Sequence, residues 1–211
     1  MKQPAQKTTA LRNDDEVSRR SFLARASATA GGVMLEASLA VSPVIAQTKA
    51  ATIGPDAAPL TLRINGMVRT VAVAPHATLA EVLRGPLDLT GTKIGCDRGA
   101  CSACTVWLDG IPVASCMMLA IDVGERSVTT IEGLSDGDKL HPVQAAFIEH
   151  DAVQCGFCTP GLVMSCAALL AQNPDPTLDD VKTATSGHLC RCGTYPHVFA
   201  ATLAAATTGK G

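Results

Sequence analysis

Eight of the nine cysteines fall into two groups whose spacing constrains this chain more than any other feature. Cys96, Cys101 and Cys104 form a C-x4-C-x2-C run, and Cys116 follows after eleven intervening residues. Cys155 and Cys158 form C-x2-C, and Cys190 and Cys192 form C-x-C. Disulfides are one use for such residues in an exported chain, but Cys190 and Cys192 are too close in sequence to bridge each other comfortably. The region carrying these cysteines, about 160 residues, also needs no staples, since domains of that size bury roughly 68–70% of their unfolded surface. These thiols are therefore expected to bind or react with something.

C-x4-C-x2-C with a distant fourth cysteine is the plant-type [2Fe–2S] spacing. Gly95 and Gly99 let the backbone wrap tightly around a guest in that loop. The second group, taken alone, suits zinc or an iron–sulfur cluster, because its two pairs lie in loops that can meet at one end of a helical bundle. Zinc has no need of a glycine cradle. A thioredoxin-like role for Cys155-Gly156-Phe157-Cys158 lacks its βαβ context. Cys166 shares an apolar helical face with Leu162, Leu169 and Leu170 and is expected to be a buried core thiol.

Local patterns predict two halves. Leu60–Ile64, the turn Asn65-Gly66 and Met67–Val73 read as a hairpin. A short helix capped by Thr78 with Glu81 follows, and Gly85-Pro86 ends it. The cysteine loop then leads to a second hairpin, Thr105–Leu108 and Ile111–Ser115 around Asp109-Gly110, with Cys116 closing the strand. Ser127–Ile131 is a further strand. The second half reads as four helices: Pro142–His150, Thr159 (as N-cap, with Pro160 at the first helical position) to Gln172, Thr177 (as N-cap, with Asp180) to Ser186, and Pro196–Ala206. Ser135–Asp138 is the expected joint. The fold class is thus α+β, with a domain at 58–134 and an all-α domain at 139–207.

The first fifty residues stand apart. They hold seven Lys/Arg against four Asp/Glu, while residues 51–211 hold ten against fifteen. Arg19-Arg20 followed by Phe22-Leu23, a small-residue apolar stretch to about Ala46, and Ala46-Gln47 as a cleavage site resemble a twin-arginine export signal. Glu36 departs from that pattern. Gly31, Gly32, Glu36 and Pro43 interrupt the apolar run, so it is not a membrane anchor. Residues 1–50 are read as signal peptide and linker, and the mature chain as periplasmic and exported folded. A formal charge of -2 argues against nucleic-acid binding by bulk basicity. Aromatic residues make up 3%, which leaves an aliphatic core.

Together, residues 95–104 (GCDRGACSAC), His141-Pro142-Val143-Gln144, Gln154–Gly161 and Cys190–Gly193 resemble the iron–sulfur subunit of the xanthine oxidase family of molybdenum hydroxylases. The resemblance covers about residues 60–206, and the leader is most like that of the family's periplasmic aldehyde oxidoreductases. It implies a β-grasp ferredoxin-like domain followed by a four-helix domain, each holding one [2Fe–2S] cluster, on Cys96/Cys101/Cys104/Cys116 and on Cys155/Cys158/Cys190/Cys192. It implies a large partner subunit that holds a molybdenum–pterin cofactor contacted by Gln154. An FAD subunit or a cytochrome c would be the outgoing acceptor, and the substrate an aldehyde or an N-heterocycle such as a purine or isoquinoline. Ser102 stands where the family usually has glycine.

This chain shows no base, nucleophile or substrate pocket of its own, and no G-x-G-x-x-G or Walker sequence. His76, His141, His150, His188 and His197 have no catalytic spacing. His141 and His150 are expected to satisfy local backbone. The reading from another class is a secreted zinc-stabilised binding module without redox function.

Overall fold

Two tight turns shape the sheet. β1 (Ala58–Ile64) joins β2 (Met67–Val73) through Asn65-Gly66, and β3 (Thr105–Leu108) joins β4 (Ile111–Ala114) through Asp109-Gly110. All four turn residues have positive φ, between 50° and 81°, the type I′ geometry whose twist matches that of the flanking strands. The structure is a computed structural model and describes residues 54–208. The export-signal expectation, on residues 1–50, lies outside the described residues.

β5 (Ser127–Thr129) completes a five-stranded mixed sheet of order β2-β1-β5-β3-β4. β5 runs parallel to β1 and antiparallel to β3. The expected strand to Ile131 stops two residues early because Ile131–Gly133 turns into a 3-10 helix. Leu62 and Ile64, two apart, face inward as the alternation predicts. They pack with Val106, Leu108 and Val128 against Leu79, Val82 and Leu83 of α1 (Leu79–Arg84). The Thr78–Glu81 capping box of α1 is present in both directions.

The second half is α2 (Pro142–Glu149), α3 (Thr159–Gln172), α4 (Leu178–Thr185) and α5 (Tyr195–Thr208). Thr177 caps α4 reciprocally with Asp180. His141 Nδ1 accepts from Val143 N–H at 3.2 Å while Gln144 Oε1 accepts from His141 N–H at 2.9 Å, which gives the His-Pro-Val-Gln motif a structural role. The expected cap of α3 is corrected. Cys158 is its N-cap, in right-handed conformation and without a side-chain bond, and Thr159-Pro160 already lie in the helix.

Val143, Phe147, Leu162, Val163, Cys166, Val198 and Ala201 form a second core, to which Trp107, Ile131 and Leu134 contribute from the first half. α3 packs on β3 and β4, and the Trp107 indole N–H donates to the Met164 carbonyl at 2.9 Å. The closest approach is at Gly161. A Cβ there would collide with the Ser102 carbonyl oxygen and lie 3.2 Å from Ala103 Cα. Glycine is thus what lets α3 dock on the first cysteine loop. Among the described residues no helix is long and apolar enough to cross a membrane.

Candidate metal centres

The loop from Gly95 to Cys104 turns through three left-handed residues, Asp97 (φ 52°), Gly99 (φ 71°) and Ser102 (φ 56°). This curls Cys96, Cys101 and Cys104 toward one side. Cys116 reaches the same place from a 3-10 turn, Ser115–Met117, that begins after β4 has ended; the expectation that it closes the strand is corrected. The turn is held to the loop by Ser115 Oγ–H donating to the Cys104 carbonyl at 2.7 Å. Gly95 makes room for the site, because a Cβ there would stand 3.1 Å from Cys101 Sγ.

Within this group Cys96 lies close enough to Cys101, and Cys116 to Cys104 and Cys96, for their ionisations to influence one another. In the second group the ionisation of Cys158 is influenced by Cys190 and Cys155, and that of Cys192 by Cys155 and Cys190. Cys155 and Cys158 sit at the N-terminus of α3, whose unpaired N–H groups favour negative charge. Cys190 and Cys192 come from the α4–α5 connection. That connection is clamped by Tyr195, whose hydroxyl donates to the His188 carbonyl and accepts from Cys190 N–H, each at 2.8 Å. All nine cysteines are free thiols, and Cys166 is buried in the second core, as expected.

Each group mixes easily ionised and resistant thiols. The Arg98 N–H, with help from Ala100 N–H at 3.2 Å from the sulfur, lowers Cys96 to about 7. Burial raises Cys190, but the Thr194 hydroxyl and N–H outweigh it and bring it down to about 7. Burial pushes Cys116 up to about 11 and Cys158 up to about 12. A metal must therefore displace protons from the deeper thiols, since thiolate is the ligand.

The pairing bears on which guest fits. Thiols gathered as two pairs suit a two-iron core, in which each iron takes two cysteines.

Family profiles agree. One described as "2Fe-2S iron-sulfur cluster binding domain" matches residues 62–126, and one described as "[2Fe-2S] binding domain" matches residues 130–203. The aldehyde oxidoreductase iron–sulfur-binding subunit PaoA of Escherichia coli (strain K12) is 39% identical over 204 residues, covering 90% of this chain and 88% of that protein. The chain belongs to the iron–sulfur subunits of the xanthine oxidase family of molybdenum hydroxylases. The nicotine 6-hydroxylase small subunit of Paenarthrobacter nicotinovorans is 49% identical over 148 residues, 70% of this chain and 89% of that one. The solved quinoline 2-oxidoreductase of Pseudomonas putida 86 superposes with a TM-score of 0.71 at 42% identity, over 74% of this chain and 97% of the matched chain. This chain is accordingly an iron–sulfur electron-transfer subunit, a redox rather than a catalytic component.

Gln154 is exposed immediately before Cys155. Sequence reasoning missed the contacts between the two thiol groups: Leu189 N–H donates to the Cys101 carbonyl at 3.2 Å, and a Cβ on Gly95 would lie 3.4 Å from the Phe157 ring. It also missed where Ser102 points. A Cβ on Gly187 would lie 3.3 Å from the Ser102 hydroxyl, so that side chain reaches toward the α4–α5 connection. A left-handed non-glycine residue costs roughly 1–2 kcal/mol, and glycine adds back roughly 0.4–1 kcal/mol of unfolded-state entropy. Ser102→Gly is therefore expected to gain about 0.5 kcal/mol in a urea melt, and a loss instead would mean that the hydroxyl contact outweighs the strain.

Proposed function

We propose that this chain is the electron-transfer subunit of an exported molybdenum-containing aldehyde oxidoreductase. It holds two [2Fe–2S] clusters, one on Cys96, Cys101, Cys104 and Cys116 and one on Cys155, Cys158, Cys190 and Cys192. Electrons pass through it from the molybdenum–pterin cofactor of a large subunit to an FAD subunit. The observation that carries this reading is the gathering of eight thiols as two paired foursomes in loops that touch each other. When bound, such clusters supply one-electron redox chemistry at potentials set by charge, hydrogen bonds to sulfur and exposure.

The chain's own residues set those conditions. Ala100 N–H on Cys96 and the Thr194 hydroxyl beside Cys190 stabilise negative sulfur and so favour the reduced state. Cys104 and Cys116 are buried, while Cys155 and Cys192 are exposed. The second site thus opens toward the surface, beside Gln154 and the exposed apolar side chains Ile148, Val153 and Phe157. That surface supports the large subunit as the partner there, with Gln154 contacting the pterin, and leaves the first site for the outgoing acceptor.

The aldehyde assignment rests on the match to PaoA, and the export route on Arg19-Arg20 and the small-residue apolar stretch that follows them. A second reading is favoured by the higher identity to the nicotine 6-hydroxylase small subunit, namely an N-heterocycle substrate; a cytochrome c in place of FAD is the corresponding alternative acceptor. The purified complex is expected to show two distinct reduced-state EPR signals and about four iron atoms per chain, and a colourless zinc protein would refute the assignment. Incubation with aldehydes and N-heterocycles then separates the substrate readings. Changing Arg19 and Arg20 to Lys is expected to leave the complex folded but in the cytoplasm; export at an undiminished rate would count against the twin-arginine route and periplasmic location.

A further inference from the structure

The two cysteine loops meet in a specific way. Leu189 precedes the ligand candidate Cys190, and its N–H donates to the carbonyl of Cys101, itself a ligand candidate of the other group, at 3.2 Å. One hydrogen bond therefore joins the main chain of one cluster loop to that of the other. From Cys101 Sγ the route runs through its own Cα and carbonyl, across that bond, and through the Leu189 and Cys190 backbone to Cys190 Sγ, with no gap wider than the hydrogen bond.

Several features hold this bond in register. The Tyr195 hydroxyl clamps both the His188 carbonyl and Cys190 N–H. His188, 4% exposed, is fixed from α3 by Ser165 Oγ at 2.7 Å from its Nε2. Gly161 and Gly187 allow α3 and the α4–α5 connection to lie directly against Ser102, next to Cys101. The Leu189 side chain takes no part, since the residue is 61% exposed. A second contact, the Phe157 ring against Gly95, offers only a through-space alternative.

We propose that the Leu189 N–H to Cys101 carbonyl hydrogen bond is the electronic bridge between the two metal centres, making the Leu189 amide a positioning group for intercluster electron transfer. This deepens the proposed function and rests on both clusters being present. In the step, one electron leaves the reduced cluster on Cys155, Cys158, Cys190 and Cys192, which is oxidised, and reduces the cluster on Cys96, Cys101, Cys104 and Cys116. No bond is made or broken. The electron originates with the substrate oxidised at the molybdenum subunit, and the flavin takes it onward.

The test uses the assembled complex, reduced by a flash-generated one-electron donor, with equilibration between the two EPR-distinct clusters followed by rapid freezing. Two EPR signals in the unaltered complex establish the underlying reading, and their absence would refute that reading rather than the bridge. Two variants then address the bridge. Leu189→Ala keeps the N–H and is expected to leave the intercluster rate unchanged. Replacing Leu189 by its α-hydroxy acid turns the amide into an ester, removing the N–H while leaving the His188 carbonyl as a weaker acceptor for Tyr195, and is expected to slow transfer severalfold with both EPR signals retained. An ester variant that transfers as fast as the unaltered complex overturns the proposal, as does a Leu189→Ala variant slowed as much as the ester.

Discussion

Cys158→Ser is expected to lose about two of about four iron atoms per chain, and one of two reduced-state EPR signals, while the other signal persists. Cys158 is buried, paired with Cys190, and its thiol is pushed up to about 12 by that burial. A hydroxyl replaces it poorly, because iron–sulfur clusters favour soft thiolate over a harder oxygen ligand. The helix is not the casualty: serine is among the best N-cap residues, and Cys158 already occupies the N-cap of α3 without a side-chain bond. Iron analysis and EPR of the purified complex decide the matter. Retention of both signals with unaltered line shape would show that Cys158 is not a ligand, and loss of both would show that the two sites do not load separately.

Gly161→Ala is expected to be the most damaging substitution of a single methyl group. Two effects oppose each other. Alanine in place of glycine within a helix gains about 1 kcal/mol. Overpacking a close contact costs typically about 1–3 kcal/mol, and here the added carbon meets the Ser102 carbonyl oxygen and the Ala103 backbone, neither of which can rotate away as a side chain would. The cost is placed at the upper end of its range, leaving a net loss of about 2 kcal/mol. At about 2–4 °C per kcal/mol for a chain of this size, the thermal midpoint should fall by several degrees. A melting curve unchanged from the parent would mean that α3 shifts off the cysteine loop at no cost.

Much of this was legible from residue patterns. The Asn65-Gly66 and Asp109-Gly110 turns, the Thr78 and Thr177 capping boxes and the alternation of β1 are local features, decided by a few neighbouring residues. The grouping of the cysteines was legible because a guest with fixed geometry leaves its spacing in the chain. What was not legible depends on partners distant in sequence. The cap of α3 fell on Cys158 instead of Thr159 because the backbone there is also shaping a thiol site. Cys116 sits in a 3-10 turn because it must face Cys104 after β4 ends. Asp97 and Ser102 take left-handed conformations that no glycine announces. The docking of Gly161 on Ser102, and of Leu189 on Cys101, joins residues 59 and 88 positions apart, beyond the reach of any periodicity.

The pairing of β1 with β5 has a consequence for how the chain is assembled. Arg63 meets Ser127 and Ile64 meets Val128, so the sheet cannot close until its last strand arrives, and everything between is a long closed loop. Bringing such ends together is entropically slow and unfavourable. The first thiol group lies entirely inside that loop, with Cys96 and Cys116 some way in from its two ends. A cluster bonded there would shorten the stretch of chain that must find its ends, acting as an internal cross-link on the unfolded ensemble. Iron insertion and sheet closure would then favour each other, and the apoprotein would be slow to close its sheet for want of the link.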